Sequence, residues 1–599
     1  MEQGKQPAIS STGVVNDVKV KEGKAEICFP DSNSVFYNPV QEFNRDLSTA
    51  VLRLFSQEFF PQKKVTKRKN SPINGAEQKE DMSEQDVYVC RSEVQTEETS
   101  SQGCDNGITI LEGLAASGLR SVRYALEVPG VKSITANDIS PDAYRMIQKN
   151  IQHNNVQHIV IPSKEDAGLL MYKHRHPPSR HFDAIDLDPY GSASVFLDST
   201  VQAVSDGGIL LVTCTDMGVL CGNHSEACFG KYGGTSLKAK FCHEMAIRLL
   251  LFSMECHANR YKRYIKPLLS ISVDFYIRVF VQVFTSAAEV KRSPSKHSLV
   301  FLCVGCGTFH LQPMGRCIEE GRSKKYPPAH GPPIGPSCDQ CSSKFHLGGP
   351  IWTAPIHDTG FVARLLKCVK EQPKLFNTSA RIVGLLSVIA EEVDSPLYYT
   401  VDHLCGVLHC STPSLVQIRS AVIEAGYRAS SSHACRTALK TDAPHNVVWD
   451  IMRCWEKLHP VKRKKENSPG AVILSKEPVI QVSFDVKPGA NPVSRQKKLL
   501  RYQENPEANW GPKPRAKRKK DMETISEKRH RLQGRRTVEE DKNYYKQFPC
   551  KRFRTGDCEY GETCKYSHDI NLKINEHKNC EDANHSNDKG ETNTADTFQ

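Results

Sequence analysis

Apolar residues recur along the chain with two periods, one typical of strands and the other typical of helices. Short strand-like runs alternate with helical ones in the order 108–111, 121–126, 133–136, 141–150, 184–187, 195–204 and 209–213. This alternation is typical of a doubly wound α/β domain with a mainly parallel sheet. Upstream, residues 28–60 alternate and then become helical in period, with one apolar face formed by Leu47, Val51, Leu54 and Phe55. We therefore expect an α/β domain over residues 28–295.

Polar segments without periodicity interrupt and flank this domain. Residues 62–106 are rich in Lys, Glu, Ser and Gln, and we expect them to be a disordered insertion in the domain. Residues 1–27 and 573–599 are predicted to be disordered termini, and residues 461–545 a basic linker. These segments hold too few apolar residues to form a core of their own.

Residues 296–460 are predicted to form a second, smaller domain. Its first part is rich in Cys, Gly and Pro, whereas residues 376–459 alternate helical runs. There we expect a small winged module, in which a helix begins at Ser414 and ends at Gly426 and residues 427–444 make the wing. We expect this module to contact RNA, although helical modules of this kind often serve only as scaffolds.

The basic surplus of the chain is unevenly distributed. Lys and Arg number 80 against 68 Asp and Glu, which gives a net charge of +12. Basic clusters lie at residues 462–465 and 511–520, in segments poor in apolar residues. Such arms suit phosphate binding or nuclear import, and the alternative is a merely solvated tail. The charge distribution therefore favours an acidic partner.

The termini and the cysteines indicate the compartment. No secretory leader opens the chain, and no apolar run reaches the roughly eighteen residues of a membrane span. We expect a soluble protein of the nucleus and cytoplasm, without membrane contact; no clear transit peptide is present, and a mitochondrial pool stays open. In a reducing compartment, clusters among the 22 cysteines indicate metal binding rather than disulfides.

Three acidic strand ends predict a pocket for an adenosine-containing cofactor. The run 108–120 is a buried strand that ends in Glu112, followed by Gly113, small residues and Gly118, which lead into a helix. Asp138 follows the next strand, where an acidic side chain can accept both ribose hydroxyls, and a third acidic turn contains Asp166. The phosphate-binding Gly-x-Gly-x-x-Gly is absent. A nicotinamide pocket and an acid-capped turn without ligand are the alternatives.

The segment Asp188-Pro189-Tyr190-Gly191 ends a fourth predicted strand. An exocyclic base amine is a poor nucleophile, because its lone pair is delocalised into the ring, so hydrogen-bond acceptors must orient it. The Asp188 carboxylate and the Pro189 carbonyl can accept its hydrogens, while Tyr190 stacks on the base. An ordinary β-turn is the alternative. The position of the segment 188–191 just after the predicted donor pocket favours a role in the methylation of a nucleobase amine.

Two Cys-x-x-Cys pairs predict a structural zinc site. They are Cys303 with Cys306 and Cys338 with Cys341, separated by a loop rich in Gly and Pro. Four thiolates suit tetrahedral zinc and leave no open position for catalysis. Three nearby residues could substitute for one ligand, namely His310, Cys317 and His346.

A second cysteine cluster predicts a zinc finger over residues 546–572. Cys550, Cys558, Cys564 and His568 have the spacing of an RNA-binding finger of three cysteines and one histidine. Bases and aromatic residues surround them, as stacking on unpaired nucleotides with phosphate neutralisation requires; they are Phe548, Lys551, Arg552, Phe553, Arg554, Lys565 and Tyr566.

Together these motifs resemble the tRNA (guanine-26, N2)-dimethyltransferase family, and its animal members with a C-terminal CCCH finger in particular. The resemblance runs from Phe36 to about Trp455. It is carried by the segments Val35–Leu47, Glu112–Arg120, Ala136–Asp138, Glu165–Ala167, Asp188–Gly191 and Lys440–Pro444. It implies a class I, Rossmann-like methyltransferase domain followed by a smaller family-specific domain.

The resemblance also implies residue roles. Five residues would bind S-adenosylmethionine, namely Arg45, Arg120, Asp138, Asp166 and Ala167. Asp188 would be the catalytic carboxylate, and Phe36 and Tyr190 would sandwich the guanine; relatives often have Phe where this chain has Tyr190. The sequence is compatible with two roles for Arg45. Its guanidinium could bind the carboxylate of S-adenosylmethionine with two hydrogen bonds, or it could form a surface salt bridge.

The predicted function is therefore an RNA methyltransferase. By the resemblance, it transfers methyl groups from S-adenosylmethionine to N2 of guanine 26 in tRNA and forms N2,N2-dimethylguanine, with zinc and tRNA as further partners. The alternatives are another nucleobase amine methyltransferase and an RNA-binding zinc-finger protein with an inactive catalytic domain.

Overall fold

The computed structural model describes residues 18–29, 37–69, 107–321, 323–460 and 468–502, together with scattered residues between 550 and 569. The chain divides into two compact units, Met1–Lys513 and Pro514–Gln599. The predicted domains 28–295 and 296–460 thus lie within one unit. None of the described helices is long and apolar enough to cross a membrane.

A hairpin and a long helix open the described chain. Their bounds are β1 Val18–Glu22, β2 Ala25–Phe29 and α1 Glu42–Lys69. The hairpin lies where the sequence predicts a disordered N-terminus, and residues 1–17 lie outside the described part. Its order comes from tertiary contacts, because backbone N–H groups of Glu26 and Cys28 donate to the side chains of Asn154 and Asn150, each at 2.9 Å. Local sequence does not reveal such distant acceptors.

Helix α1 buries the face that its sequence predicts. Leu47, Val51, Leu54 and Phe55 are at most 6% exposed. The helix continues to Lys69 and so includes the first residues of the predicted disordered insertion. Gln, Lys and Arg are good helix formers, which accounts for the extension. Residues 70–106 lie outside the described part.

A seven-stranded sheet forms the centre of the unit. Its strands are β3 Ile108–Glu112, β4 Val131–Asn137, β5 Val160–Ser163, β6 Phe182–Leu187, β7 Val204–Cys214, β8 Arg263–Val273 and β9 Tyr276–Thr285. The spatial order is β5-β4-β3-β6-β7-β9-β8, in which β3 to β7 are parallel and β9 is antiparallel to both neighbours. The parallel part has the doubly wound order and places the carboxyl ends of β3 to β7 at one edge.

Helices cover both faces of this sheet. They are α2 Leu119–Glu127, α3 Pro141–His153, α4 Ala167–Lys173, α5 Leu197–Ala203, α6 Met217–Leu220, α7 Ser225–Tyr232 and α8 Cys242–Asn259. Alternate residues of β7 pack into the hydrophobic cores on the two faces of the sheet. Leu211 packs with α1 to α3, whereas Leu210 and Val212 pack with α4, α5 and α8. Burial on both faces explains why the strands are continuous apolar runs.

The second part of the unit holds small sheets and helices. It begins with α9 Ala287–Arg292, β10 His297–Cys303, β11 Phe309–Pro313, β12 Ile318–Glu320, β13 Ser323–Lys325 and β14 Phe345–Trp352. It continues with α10 Thr359–Glu371, α11 Ser379–Ala390, β15 Tyr399–Thr400, α12 Val401–Leu408, α13 Leu415–Glu424, β16 Ala429–Ser432, β17 Cys435–Thr441 and α14 His445–Leu458. The hairpin β16–β17 beside α13 is the wing that the sequence predicts, and β15 pairs with β17 to complete a three-stranded sheet.

The segment after residue 467 packs onto this domain, where the sequence predicts a basic linker. It contains α15 Pro469–Leu474 and α16 Val493–Gln496. Ser494 donates to Glu391 and the Tyr502 hydroxyl to the Ser432 carbonyl at 2.9 Å. A few buried side chains, such as Ile473, anchor the segment despite its polar composition. Residues 461–467 and 503–549, with both basic clusters, lie outside the described part.

Candidate active site and zinc centres

The turn after β3 brings backbone close to the sheet edge. Gly113 donates its N–H to the Asp186 carbonyl at 3.0 Å, and a Cβ there would lie 2.8 Å from a Leu187 methyl. Ala116 has a φ of 48° and Gly118, which precedes α2, a φ of 79°. The turn therefore presents small residues and backbone where a ligand of the sheet edge would bind.

Asp138 lies beside this turn. One carboxylate oxygen accepts the Ala116 N–H at 2.9 Å and the other accepts the Ser140 N–H at 3.0 Å. The residue is partly exposed, and each oxygen retains lone pairs for further donors. This arrangement fits an acceptor for the two hydroxyls of a ribose.

The third acidic turn follows β5. Asp166 is exposed and caps α4 by accepting the Leu169 N–H at 2.9 Å, while Ala167 is buried. The Glu165 side chain pairs with Lys173 on the same helix. The predicted contact of Asp166 with the cofactor is compatible with its exposure.

Asn137, a residue without a predicted role, connects these turns. Its amide nitrogen donates to the carbonyls of Gly113 at 3.1 Å and Glu165 at 3.0 Å, and its oxygen accepts the Glu165 N–H at 3.0 Å. The residue is fully buried. Two signals in the sequence point to it: its position directly before Asp138 at a strand end, and its place in the segment Ala136–Asp138 that carries the resemblance.

Glu112 faces the interior. It is 4% exposed and accepts the Ser121 backbone N–H at 3.0 Å as well as the Ser121 hydroxyl. Burial raises the pKa of Glu112 to about 8, although the Ser121 hydrogen bonds and Arg120 lower it. Its contacts are those of a group that anchors the first turn of α2.

Arg120 pairs with the predicted catalytic carboxylate. The guanidinium is 6% exposed and contacts Asp188, with Asp186 at 3.7 Å. Burial alone would raise the pKa of Asp188, but the charges of Arg120 and Arg278 outweigh it, so that this pKa is lowered. Asp188, whose side chain is 27% exposed, is therefore an anionic acceptor at neutral pH.

The turn Asp188–Gly191 is tied to the next strand. Gly191 donates its N–H to the Thr215 hydroxyl and accepts the Thr215 N–H, both at 2.8 Å. Pro189 is buried, whereas Tyr190 is 67% exposed and presents its ring at the surface. Phe36, the predicted second half of the sandwich, lies outside the described residues.

Arg45 has a partner within its own N-terminal region. Its fork donates to both carboxylate oxygens of Glu22 at 2.6 Å, and the pair is buried. Burial would raise the pKa of Glu22, but hydrogen bonds and charges from Arg45 and Arg123 lower it. Glu22 could not be identified from the sequence alone, because it lies in the segment predicted to be disordered.

Four buried sulfur atoms form the first metal cluster. Cys303 and Cys341 are 3.3 Å apart, Cys306 and Cys338 are 3.7 Å apart, and all four ligand atoms lie within 4.8 Å of one another. Zinc–sulfur bonds of about 2.3 Å in a tetrahedron place sulfur atoms roughly 3.8 Å apart, so the set fits zinc. The alternative ligands His310, Cys317 and His346 are not in this cluster.

A hydroxyl supports this cluster from outside. Trp449 donates its indole N–H to the Thr308 oxygen at 2.7 Å, and the Thr308 hydroxyl lies 3.0 Å from the Cys306 sulfur. A hydroxyl donor stabilises a metal-bound thiolate.

The C-terminal cluster lies in the second unit. The ligand atoms of Cys550, Cys558, Cys564 and His568 lie within 4.8 Å of one another. The Nε2 atom of His568 is buried and has no hydrogen-bond partner among the described residues, as expected of a metal ligand. Phe553 stacks on the His568 ring at 4.0 Å and is 37% exposed.

Two family models match the chain. Residues 16–453 match N2,N2-dimethylguanosine tRNA methyltransferase, and residues 545–570 match the zinc finger C-x8-C-x5-C-x3-H type and similar fingers. The finger of this chain has seven residues between its first two cysteines.

Relatives of this family are similar over most of their length. The chain is 51% identical to the human tRNA (guanine(26)-N(2))-dimethyltransferase, over 92% of this chain and 87% of the relative. It is 38% identical to the mitochondrial tRNA (guanine(26)-N(2))-dimethyltransferase of Saccharomyces cerevisiae, over 83% and 92%.

A solved structure is also similar. The complex of Trm1 from Pyrococcus horikoshii with S-adenosyl-L-methionine superposes with a TM-score of 0.56 and 27% identity, over 72% of this chain and 99% of that one. The predicted fold class is thereby confirmed, and so is the resemblance to the dimethyltransferase family. The chain belongs to the N2,N2-dimethylguanosine tRNA methyltransferase family.

Proposed function

We propose that this chain transfers methyl groups from S-adenosylmethionine to the N2 amine of guanine 26 in tRNA and forms N2,N2-dimethylguanine. The family match and the names of the relatives support the reaction and the substrate. The observation that carries the assignment in this chain is an anionic carboxylate, Asp188, held by Arg120 at the strand end next to the donor turns.

The residues of the donor pocket suit the cofactor. When bound, S-adenosylmethionine supplies an electrophilic methyl group on a sulfonium. The partly exposed Asp138 carboxylate would accept the ribose hydroxyls, and the small residues after Gly113 would let the ligand approach the backbone. Asp166 and Ala167 would line the adenine side. Arg45 and Arg120 would support the site through their carboxylate partners, Glu22 and Asp188.

Asp188 and Pro189 would orient the amine. The carboxylate and the Pro189 carbonyl accept the two amine hydrogens, which turns the nitrogen lone pair toward the methyl group. A carboxylate with a lowered pKa is a weak base, but it is sufficient because the amine becomes strongly acidic once it gains a methyl group. The exposed Tyr190 ring would stack on the guanine.

The remaining motifs would serve the RNA and the folding of the chain. We propose a structural zinc at Cys303, Cys306, Cys338 and Cys341, and a second zinc in the finger at Cys550, Cys558, Cys564 and His568. The finger and the basic clusters would hold tRNA. We also propose a nuclear and cytoplasmic location, with a mitochondrial pool suggested by the name of the yeast relative.

The substitution Asp188→Asn tests the assignment. Asparagine keeps the shape of the aspartate side chain but lacks its negative charge. The rate of methyl transfer should therefore fall by roughly 100-fold or more, while the affinity for S-adenosylmethionine falls little. Mass analysis of nucleosides from treated tRNA and calorimetric titration of the cofactor measure the two effects. Asp198→Asn is the matched control, since the described groups that donate to Asp198, such as Tyr172 and Tyr261, belong neither to the donor turns nor to the Asp188–Gly191 turn. Asp188→Asn with more than half of the wild-type rate would refute the assignment.

A further inference from the structure

A second carboxylate lies beside the Asp188–Gly191 turn. Asp216 follows β7, whose neighbour β6 ends at the turn, and Leu187 pairs with Val212 in their parallel register. The two hydrogen bonds between Thr215 and Gly191 clamp the strand ends together. Adjacent parallel strands lie about 4.8 Å apart. A base stacked on Tyr190 would therefore lie within reach of both carboxylates.

The Asp216 side chain does not cap the helix that it precedes. Asp216 is the N-cap residue of α6, a position where Asp commonly accepts a backbone N–H, yet its side chain makes no cap hydrogen bond. It turns instead to α7, where the Tyr232 hydroxyl donates to one oxygen at 2.8 Å and the Lys231 ammonium contacts the other at 3.2 Å. The side chain is 10% exposed. A role in capping therefore does not explain it.

Tyr232 connects Asp216 to the catalytic turn. The Tyr232 ring is 1% exposed, and its oxygen accepts the Ser192 hydroxyl at 2.7 Å while its O–H donates to Asp216. Burial raises the pKa of Tyr232 far above its usual range, so the group stays a neutral donor. Since Ser192 directly follows Gly191, one hydroxyl fixes Asp216 relative to the turn. Each Asp216 oxygen retains a lone pair for another donor.

The proposed roles of Asp188 and Pro189 leave one hydrogen-bond donor of guanine, its N1–H, without an acceptor. This N1–H adjoins the N2 amine, so these two neighbouring positions are both donors, whereas adenine has an acceptor at N1. We infer that Asp216 accepts the N1–H of the target guanine and thereby selects guanine, while Tyr232 and Ser192 are positioning residues. This inference rests on the proposed function. A carboxylate next to an N1 lone pair would repel it, so the site would discriminate by repulsion as well as by attraction.

A base analogue separates this role from a structural one. 2-Aminopurine keeps the exocyclic amine at C2 but has an acceptor at N1. The kcat/KM of methyl transfer is compared for tRNA with guanine or 2-aminopurine at position 26. Wild-type protein should prefer guanine by at least roughly 100-fold, because a site built to accept a hydrogen bond rejects a substrate without the donor. In Asp216→Asn the amide can donate to N1, so the preference should fall to about 10-fold or less.

Two further variants complete the comparison. Tyr232→Phe should slow guanine methylation by about 10-fold and lower the preference only in part, because the Asp216 carboxylate remains but is held less precisely. Asp198→Asn should retain both the wild-type rate and the preference.

Different results overturn different claims. If Asp216→Asn slows both substrates equally, Asp216 is a structural residue and the inference is wrong. If wild-type protein methylates both tRNAs equally, N1 is not recognised, whether or not the variants fold. If wild-type protein methylates neither tRNA, the proposed function itself fails.

Discussion

Asn137 offers a sharp test of how the donor pocket is held together. Its amide makes three hydrogen bonds that connect the turn at Gly113 with the turn at Glu165, and the side chain is fully buried. Replacement by alanine removes all three bonds and leaves backbone groups without partners. We expect Asn137→Ala to weaken both the stability of the domain and its affinity for S-adenosylmethionine.

The three lost hydrogen bonds set the size of the expected destabilisation. A net contribution of about 1 kcal/mol for each bond gives a loss of roughly 3 kcal/mol. In a domain of this size each kcal/mol lowers Tm by roughly 2 to 4 °C. Because the turns would separate, the cofactor Kd should rise by about 10-fold or more in the folded protein.

Asn154→Ala is the matched control. Asn154 also makes three hydrogen bonds, to Glu26 and Asn150, but these hold the N-terminal hairpin and do not link the donor turns. Thermal melting and calorimetric cofactor titration, at a temperature where all variants are folded, measure both effects. Asn154→Ala should lower Tm by a similar amount but raise the Kd much less, because the hairpin affects the donor site only through the Glu22–Arg45 pair. An unchanged Kd in Asn137→Ala, or an equal rise in both variants, would refute the role of Asn137.

Three other predictions address metal, pH and RNA. Cys303→Ser should lower the zinc content from two equivalents to one and destabilise the protein, while Cys368→Ser keeps both, as elemental analysis would show. Glu112, whose pKa burial raises to about 8, binds its proton more tightly in the folded state, so its contribution to stability is lost as pH rises from about 4.5 to 8. Glu112→Gln should therefore flatten the fall of Tm over that pH window; an unchanged slope would contradict the raised pKa. Removal of residues 514–599, the second unit, should weaken tRNA binding and make its log–log salt dependence shallower by roughly 0.7 to 0.9 per lost phosphate contact, whereas equal slopes would exclude tRNA contacts there.

Local sequence determined the elements that carry the chemistry. Continuous apolar runs predicted β3, β4, β6 and β7, because strands of a parallel sheet are buried on both faces. The same logic placed Asp138 and Asp188 at carboxyl ends of strands, which meet at one edge. Cysteine spacing predicted both metal clusters, since each Cys-x-x-Cys pair and the ligands of the finger are close in sequence. These features depend on neighbours in sequence or on the period of a single element.

Only the tertiary structure decided which partner each buried charge takes. An arginine fork accepts any carboxylate of suitable geometry, so the sequence could not assign Arg45 to Glu22 or Arg120 to Asp188, which are 23 and 68 residues apart. The order of the N-terminal hairpin likewise depends on Asn150 and Asn154, more than a hundred residues away. Asn137 and Asp216 have roles that arise from three-dimensional contacts alone. The physical reason is that hydrogen bonds and ion pairs act over a few ångströms, and the fold determines which distant residues come within that range.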